Sequence, residues 1–218
     1  MKLQQIKAYI DSPDPQHRIK AITELRNYEP SLVVPLLKRR MYDQEFVIRS
    51  FVAMGLGYKQ TDEGFKLLKN LMEQDSDYNV RAEASNSLAK YGAAAIPHLV
   101  KLFQQDTNWL VRYSILAAID LTQHPEAALE LADLGLRGDS EVVMEAAIAI
   151  LGQLTQTPQE AAALDLLLAA AKSEEATVRA QVARILSCFD NPRAQAALSN
   201  LRQDGDYQVV AASLEGLV

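Results

Sequence analysis

One phrase recurs seven times along this chain at nearly equal intervals, and that period restricts the fold more than any other feature. In the copy Asp77-Tyr78-Asn79-Val80-Arg81-Ala82-Glu83-Ala84, followed by Leu88, a polar residue leads, an apolar and a basic residue follow, and small residues close it. Taking the basic position as reference, it falls at Arg18, Arg49, Arg81, Arg112 and Arg179, with Met144 and Val210 standing where the charge is lost. The successive intervals are 31, 32, 31, 32, 35 and 31 residues. A steady period in this range predicts stacked supersecondary units rather than one globular core.

The columns of the repeat have physical purposes. Four residues before the reference stand Asp14, Glu45, Asp77, Asn108, Ser140, Glu175 and Asp206. These are N-caps or first-turn acids that serve unpaired amide N–H groups and the helix dipole. At offsets −1, +3 and +7 the residues are almost all apolar or small, from Ile48, Val52 and Leu56 to Val178, Val182 and Leu186. Those offsets follow the 3.6-residue period and mark one apolar helical stripe. Small residues at +3 and +4 let neighbouring helices approach closely. Each first helix is followed by a break and a second amphipathic helix. The expected fold is all-α, an α-solenoid of about six to seven helical hairpins, in a single domain over 1–218.

In order, residues 2–11 read as a short amphipathic N-terminal helix. The hairpins then pair roughly 14–28 with 30–41, 44–58 with 61–74, 77–91 with 93–104, 108–122 with 125–137, 140–155 with 158–172, and 175–189 with 192–203. Pro125, Pro158 and Pro192 are each expected in a first helical turn. A last helix starts near Asp206, and its apolar Leu214, Leu217 and Val218 either fold back or meet a second copy, which makes a dimer through this helix one expectation. Gly55-Leu56-Gly57 is read as a turn at a helix end.

Several chemistries find no signature. There is no HExxH, paired CxxC, P-loop or GxGxxG. His17, His98 and His124 are too scattered in the repeat for a ligand set, and His17 is read as a packed variant of the apolar −1 column. No metal site and no catalytic residue are expected. The net charge of −6 argues against nucleic acid. No apolar run is long enough for membrane insertion, and the first residues lack a secretory h-region. A single cysteine, Cys188, makes no internal disulfide, so a cytoplasmic location is expected. It is read as a small buried apolar residue.

The period and the pattern Asp-x-x-Val-Arg-x-x-Ala resemble HEAT repeats over nearly the whole chain. The stretch Asn108-Trp109-Leu110-Val111-Arg112-Tyr113-Ser114-Ile115-Leu116-Ala117-Ala118 is similar to the lyase-type HEAT-like proteins of cyanobacterial phycobilisomes, nearest the NblB-type phycobilisome-degradation proteins. The resemblance implies a non-catalytic module that binds phycobiliprotein subunits or another protein. It also implies a linear tetrapyrrole as candidate ligand, with a bilin lyase-like activity and a general scaffold as alternatives. No catalytic motif comes with it. Met144 and Val210 weaken the family's ion-pair ladder in the C-terminal half.

Two surfaces are candidates on that footing. Residues 1–109 hold 15 basic against 13 acidic residues, and 110–218 hold 7 against 15. The family's second helices line a concave face, so its basic end would comprise Lys38, Arg39, Arg40, Lys66, Lys69, His98 and Lys101. Glu126, Glu130, Asp133, Glu160 and Asp165 would make the opposite end acidic. Such a bipolar field orients a partner, and its basic end suits carboxylates, including the propionates of a bilin. The bland alternative is ordinary solvated helix faces. The second surface is an aromatic edge three residues before the reference position, at Phe46, Tyr78, Trp109 and Tyr207. Rings there more often seal the gap between hairpins, and otherwise stack on a planar ligand or anchor a partner. Tyr28, Tyr58 and Tyr91 recur at helix ends and are expected to pack on the interhelical turns. In a bilin-handling protein, the Cys188 thiol also invites a transient thioether.

Overall fold

The structure, a computed structural model, describes residues 1–138 and 140–215. Among these residues there are fourteen α-helices, two short 3-10 turns and no strand. After α1 (Leu3–Ile10) come six successive helix pairs. They are α2 (Pro15–Glu24) and α3 (Pro30–Lys38), α4 (Phe46–Lys59) and α5 (Asp62–Gln74), α6 (Tyr78–Ala89) and α7 (Ile96–Gln105). Then follow α8 (Trp109–Ala118) and α9 (Pro125–Leu136), α10 (Glu141–Gln153) and α11 (Glu160–Ala170), α12 (Ala176–Leu186) and α13 (Pro192–Leu201), and finally α14 (Tyr207–Leu214). The fold is the expected all-α solenoid of hairpins. The helices group into two compact units, 1–118 and 119–218. In the first, α2, α4, α6 and α8 stack as one layer and α3, α5 and α7 as another. In the second, α10, α12 and α14 form one layer and α9, α11 and α13 the other.

The core is the stripe read from the repeat. Ile48, Val80, Val111, Val143 and Val209 at offset −1 are fully buried, as are Val52, Ala84, Ile115, Ala147 and Val182 at +3. Leu25, Leu56, Leu88, Leu151 and Leu186 at +7 are buried too, while Leu217 lies outside the described residues. His17 instead stacks on Tyr9 of α1, with ring centroids 4.2 Å apart. The polar column does cap: the side chains of Asp14, Asp77, Asn108 and Asp206 each accept the backbone N–H two residues on, at 2.8–2.9 Å. Glu45, Ser140 and Glu175 stand at the same place without a side-chain cap bond.

Some local expectations are corrected. Gly55 and Gly57 lie inside α4, not at a turn. A Cβ on Gly57 would sit 2.7 Å from the Ser87 Cβ and 3.0 Å from its Cα, so the glycine permits close approach of α4 and α6. The helix read as reaching 122 stops at Ala118. There the Asp120 carboxylate accepts from the Thr122 hydroxyl and from the backbone N–H groups of Thr122 and Gln123, a local turn that competes with helix. The same bonds hold the Asp120 carboxyl below its ordinary pKa. Pro158 precedes α11 by two residues rather than entering its first turn, whereas Pro125 and Pro192 open α9 and α13.

Four arginines of the basic column, Arg18, Arg49, Arg81 and Arg179, tie their hairpins to the neighbouring turns. Arg49 donates from Nε and Nη2 to the two carboxylate oxygens of Asp75 at 2.7 and 2.8 Å. Its Nη1 donates backwards to the Asp43 carbonyl at 2.8 Å and reaches that of Gln44 at 3.3 Å. Arg18 bonds Asp43 and the carbonyls of Ser12 and Pro13 in the same way, and Arg81 bonds Asp106 and the carbonyls of Asp75 and Ser76. In the second unit, Arg179 bonds Asp204 and the carbonyls of Ser173 and Glu174. Each carboxylate also accepts the N–H of the residue two further on: Glu45, Asp77, Asn108 and Asp206. At Arg49, Arg81 and Arg179 the hydrogen bonding is bidentate, and all four pairs are mostly shielded from water, which strengthens charge-assisted bonds.

Replacing Arg81 by alanine strands a nearly buried carboxylate and two carbonyls, and should cost roughly 3 kcal/mol. Removing Arg193, whose pair with Asp165 is exposed on both sides, should cost less than about 1 kcal/mol. Urea unfolding of the two variants reads the difference. The Arg179 hydrogen bonds, chiefly, hold the Asp204 carboxyl down from 3.8 to about 2. A depressed carboxylate pKa stabilises the fold fully above the unfolded value and loses that contribution as pH falls toward 2. Asp204→Asn should therefore be less stable than wild type at neutral pH, with the gap narrowing through pH 4 to 2 in acid titrations.

Candidate binding surfaces

In the first unit the expected basic residues sit at the end of α3 and along α5 and α7, which are neighbours in the second-helix layer. They do not share one fate. Lys38 pairs with Glu63, in the first turn of α5, at 2.8 Å. Arg39 and Arg40 both reach Asp11, beyond the end of α1, and Arg40 also approaches Asp43 at 3.7 Å. His98 packs edge-on against Phe65, with centroids 5.7 Å apart. Among the described residues Lys66, Lys69 and Lys101 have no ion-pair partner, and Lys66 and Lys101 are exposed. The unpaired positive charge of this layer is thus carried by α5 and α7, while the cations at the α3 end are already engaged in ion pairs.

In the second unit the acidic residues are likewise partly committed. Asp133 accepts from Arg137 at 3.2 Å, Asp165 pairs with Arg193 at 2.8 Å, and Glu126 accepts from the Gln159 amide at 3.2 Å. Glu160 turns back to the backbone N–H of Gln156 at 2.7 Å. Glu130 is exposed, with no partner among the described residues.

The aromatic column is placed as its spacing implies. Phe46, Tyr78, Trp109 and Tyr207 are the first residues of α4, α6, α8 and α14. Their exposures are 40, 46, 50 and 77 %, so half or more of the Trp109 and Tyr207 rings faces water. No two of these rings pair, because successive first helices are separated by a helix diameter. Leu214 at the end of α14 is also exposed; Leu217 and Val218 lie outside the described residues.

The recurring tyrosines divide. The Tyr28 hydroxyl donates to the Met1 carbonyl at 2.9 Å and that of Tyr91 reaches the Leu56 carbonyl, inside α4, at 3.3 Å, so both tie distant chain segments together. Burial raises the Tyr91 pKa. Tyr58 departs from them: it is half exposed, with Arg26 and Lys90 over its ring. Cys188 is exposed, against expectation, because the chain turns after α12 and buries Phe189 in its stead. Among the described residues no three His, Cys, Asp or Glu side chains gather as a metal site, and no helix is long and apolar enough to cross a membrane.

The sequence matches the family described as HEAT repeats over residues 33–120 and 123–217. Among curated proteins, no sequence matches. Among solved structures, YibA of Escherichia coli is similar with a TM-score of 0.64 at 18 % identity, over 97 % of this chain and 80 % of that one. A chain of the complex of CpcE and CpcF of phycocyanin lyase, from a Nostoc species, is similar with a TM-score of 0.57 at 22 % identity, over 100 % and 87 %.

The partial exposure of the aromatic edge separates sealing from display. Trp109→Ala should cost roughly 2 kcal/mol for the half of the ring that is buried. Tyr207→Ala should shift stability by less than about 0.5 kcal/mol. Thermal unfolding monitored by far-UV circular dichroism distinguishes them.

Proposed function

The chain belongs to the HEAT-repeat family, and from that premise we propose that it is a non-catalytic protein-binding solenoid. The partner in this reading is a phycobiliprotein, and the setting is the dismantling of phycobilisomes in the cytoplasm, as for NblB-type proteins. The observation that carries the binding role is the row of half-exposed aromatic side chains at the starts of α4, α6 and α8. Rings displayed at a regular spacing on rigid helices suit the anchors of a protein interface. The likeness to a chain of the CpcE–CpcF complex supports the choice of partner.

In this reading Phe46, Tyr78, Trp109 and Tyr207 anchor the partner, while Lys66, Lys69 and Lys101 meet acidic groups on it. Lys38, Arg39, Arg40 and His98 belong to the same basic end, with their charges or rings already engaged within the chain. A linear tetrapyrrole would be met as part of the phycobiliprotein, its propionates facing the free lysines. The exposed Leu214 supports a dimer through the C-terminal helix.

A second reading, lyase-like handling of the chromophore, is favoured by the phycocyanin lyase in the same comparison. A third is a general scaffold for another complex. Mixing the purified protein with chromophorylated phycocyanin separates the three. Co-elution with unchanged pigment absorbance supports binding alone, release or bleaching of pigment supports lyase-like handling, and neither leaves the general scaffold. On the first outcome, the double substitution Lys66→Glu with Lys101→Glu should weaken binding about tenfold at low salt and much less at high salt. Unchanged affinity would remove the basic end from the interface.

A further inference from the structure

At the far end of the first helices from the aromatic column, the first unit carries a cleft between α2, α3 and α4. Ile22, Leu25, Val33, Leu37, Phe51 and Met54 line it, and its volume is about 110 Å³. Arg26, Tyr58 and Lys59 stand at its rim. The Arg26 guanidinium lies 4.9 Å from the centre of the Tyr58 ring, and the Lys90 ammonium lies 4.6 Å from it. Lys59 donates to the carbonyls of Arg26 and Tyr28 at 2.8 and 2.6 Å.

None of Arg26, Lys59 and Lys90 has an ion-pair partner among the described residues. Two cations, from the first and third hairpins, therefore flank one ring, and a third from the hairpin between them is held on the Arg26 and Tyr28 carbonyls, all without a counter-charge. The ring face and the nearby helix C-termini make this arrangement tolerable, but neither neutralises it. An apolar hole beneath an uncompensated positive rim is complementary to an apolar body that bears a carboxylate. Size narrows the choice further. A cavity of about 150 Å³ accepts one benzene, so this open cleft of about 110 Å³ holds no more than one side chain and is far too small for a tetrapyrrole.

We infer that this cleft is a docking socket for a short segment of a partner protein, in which one bulky apolar residue is flanked by acidic ones. The apolar side chain fills the space between Ile22, Leu37 and Phe51, and the flanking carboxylates meet Arg26, Lys59 and Lys90. Tyr58 holds the cationic groups over the mouth. The inference deepens the protein-binding reading and does not depend on the partner being a phycobiliprotein.

The test uses the full chain with methyl-labelled Ile, Leu and Val, and a synthetic peptide carrying one phenylalanine among aspartates and glutamates. At low salt the peptide should shift the methyl resonances of Ile22, Val33 and Leu37. Its affinity should fall about tenfold in an Arg26→Glu, Lys90→Glu variant whose remaining methyl spectrum is unchanged. A peptide of equal charge with serine for phenylalanine should leave those methyls in place. The inference is overturned if the phenylalanine peptide at millimolar concentration moves none of them, or if the serine peptide moves them equally. It is also overturned if free octanoate saturates the cleft at lower concentration than the peptide, which would make it a small-ligand site. Failure to co-elute with phycocyanin bears on the identity of the partner and leaves this result untouched.

Discussion

The stacking of this chain depends on one side chain that solves three problems at once. Where one hairpin ends and the next begins, backbone carbonyls are left without helical partners, and leaving them unpaired near the core is costly. A guanidinium five or six residues on has enough donors in a planar fork to satisfy those carbonyls and still grip a carboxylate from the following turn. That carboxylate accepts the N–H that begins the next helix, as Asp75 does from Asp77. Each rung thus joins its own helix, the turn before it and the turn after it. Lysine carries the charge but lacks the fork. Apolar stripes alone would bury the same area with less control over how one hairpin seats on the next.

Most of the architecture was legible because the repeat displays it seven times. Offsets −1, +3 and +7 identify the buried face, and Asp14, Asp77 and Asn108 announce helix starts whose caps the structure contains. The rungs were only half legible. Their arginines stand out, but the acids six residues before the next reference position were lost among the capping acids. Pattern also could not say which solvent-side charges find each other across 25 or more residues. Arg39 and Arg40 counted toward a basic end, yet Asp11 draws them. Exposure of the aromatic column was undetermined for the same reason, since it depends on how closely the adjacent hairpin approaches. Cys188 and Tyr58 were misread because helix-end residues turn on the exit path of the chain, which carries no periodic signal.

The first helices of the first unit present different chemistry at their two ends. Their N-terminal ends bear the rungs and the half-exposed rings of Phe46, Tyr78 and Trp109. Near their C-terminal ends gather Arg26, Lys59 and Lys90, where the helix dipole favours positive charge. Both are contact surfaces: one offers rings, the other a positive rim over an apolar hole. Recognition in this fold comes from spacing, since rigid helices hold each feature one hairpin away from the next.

The rungs also have an absence that is matched on both sides. Met144 stands where an arginine would, and Ser173, the residue that would receive it, is not an acid. Across that seam the period stretches to 35 residues, and α10 meets α12 through apolar packing and an exposed hydrogen bond from Gln181 to Glu145 at 3.2 Å. In a linear stack, where each layer is secured only by its neighbours, cohesion is no greater than at its least fastened joint. Spontaneous parting in the second unit should therefore begin between α10 and α12, with α12 to α14 detaching as a block under load or dilute denaturant. Losing both members of a rung together turns a uniform stack into one with a preferred place to yield.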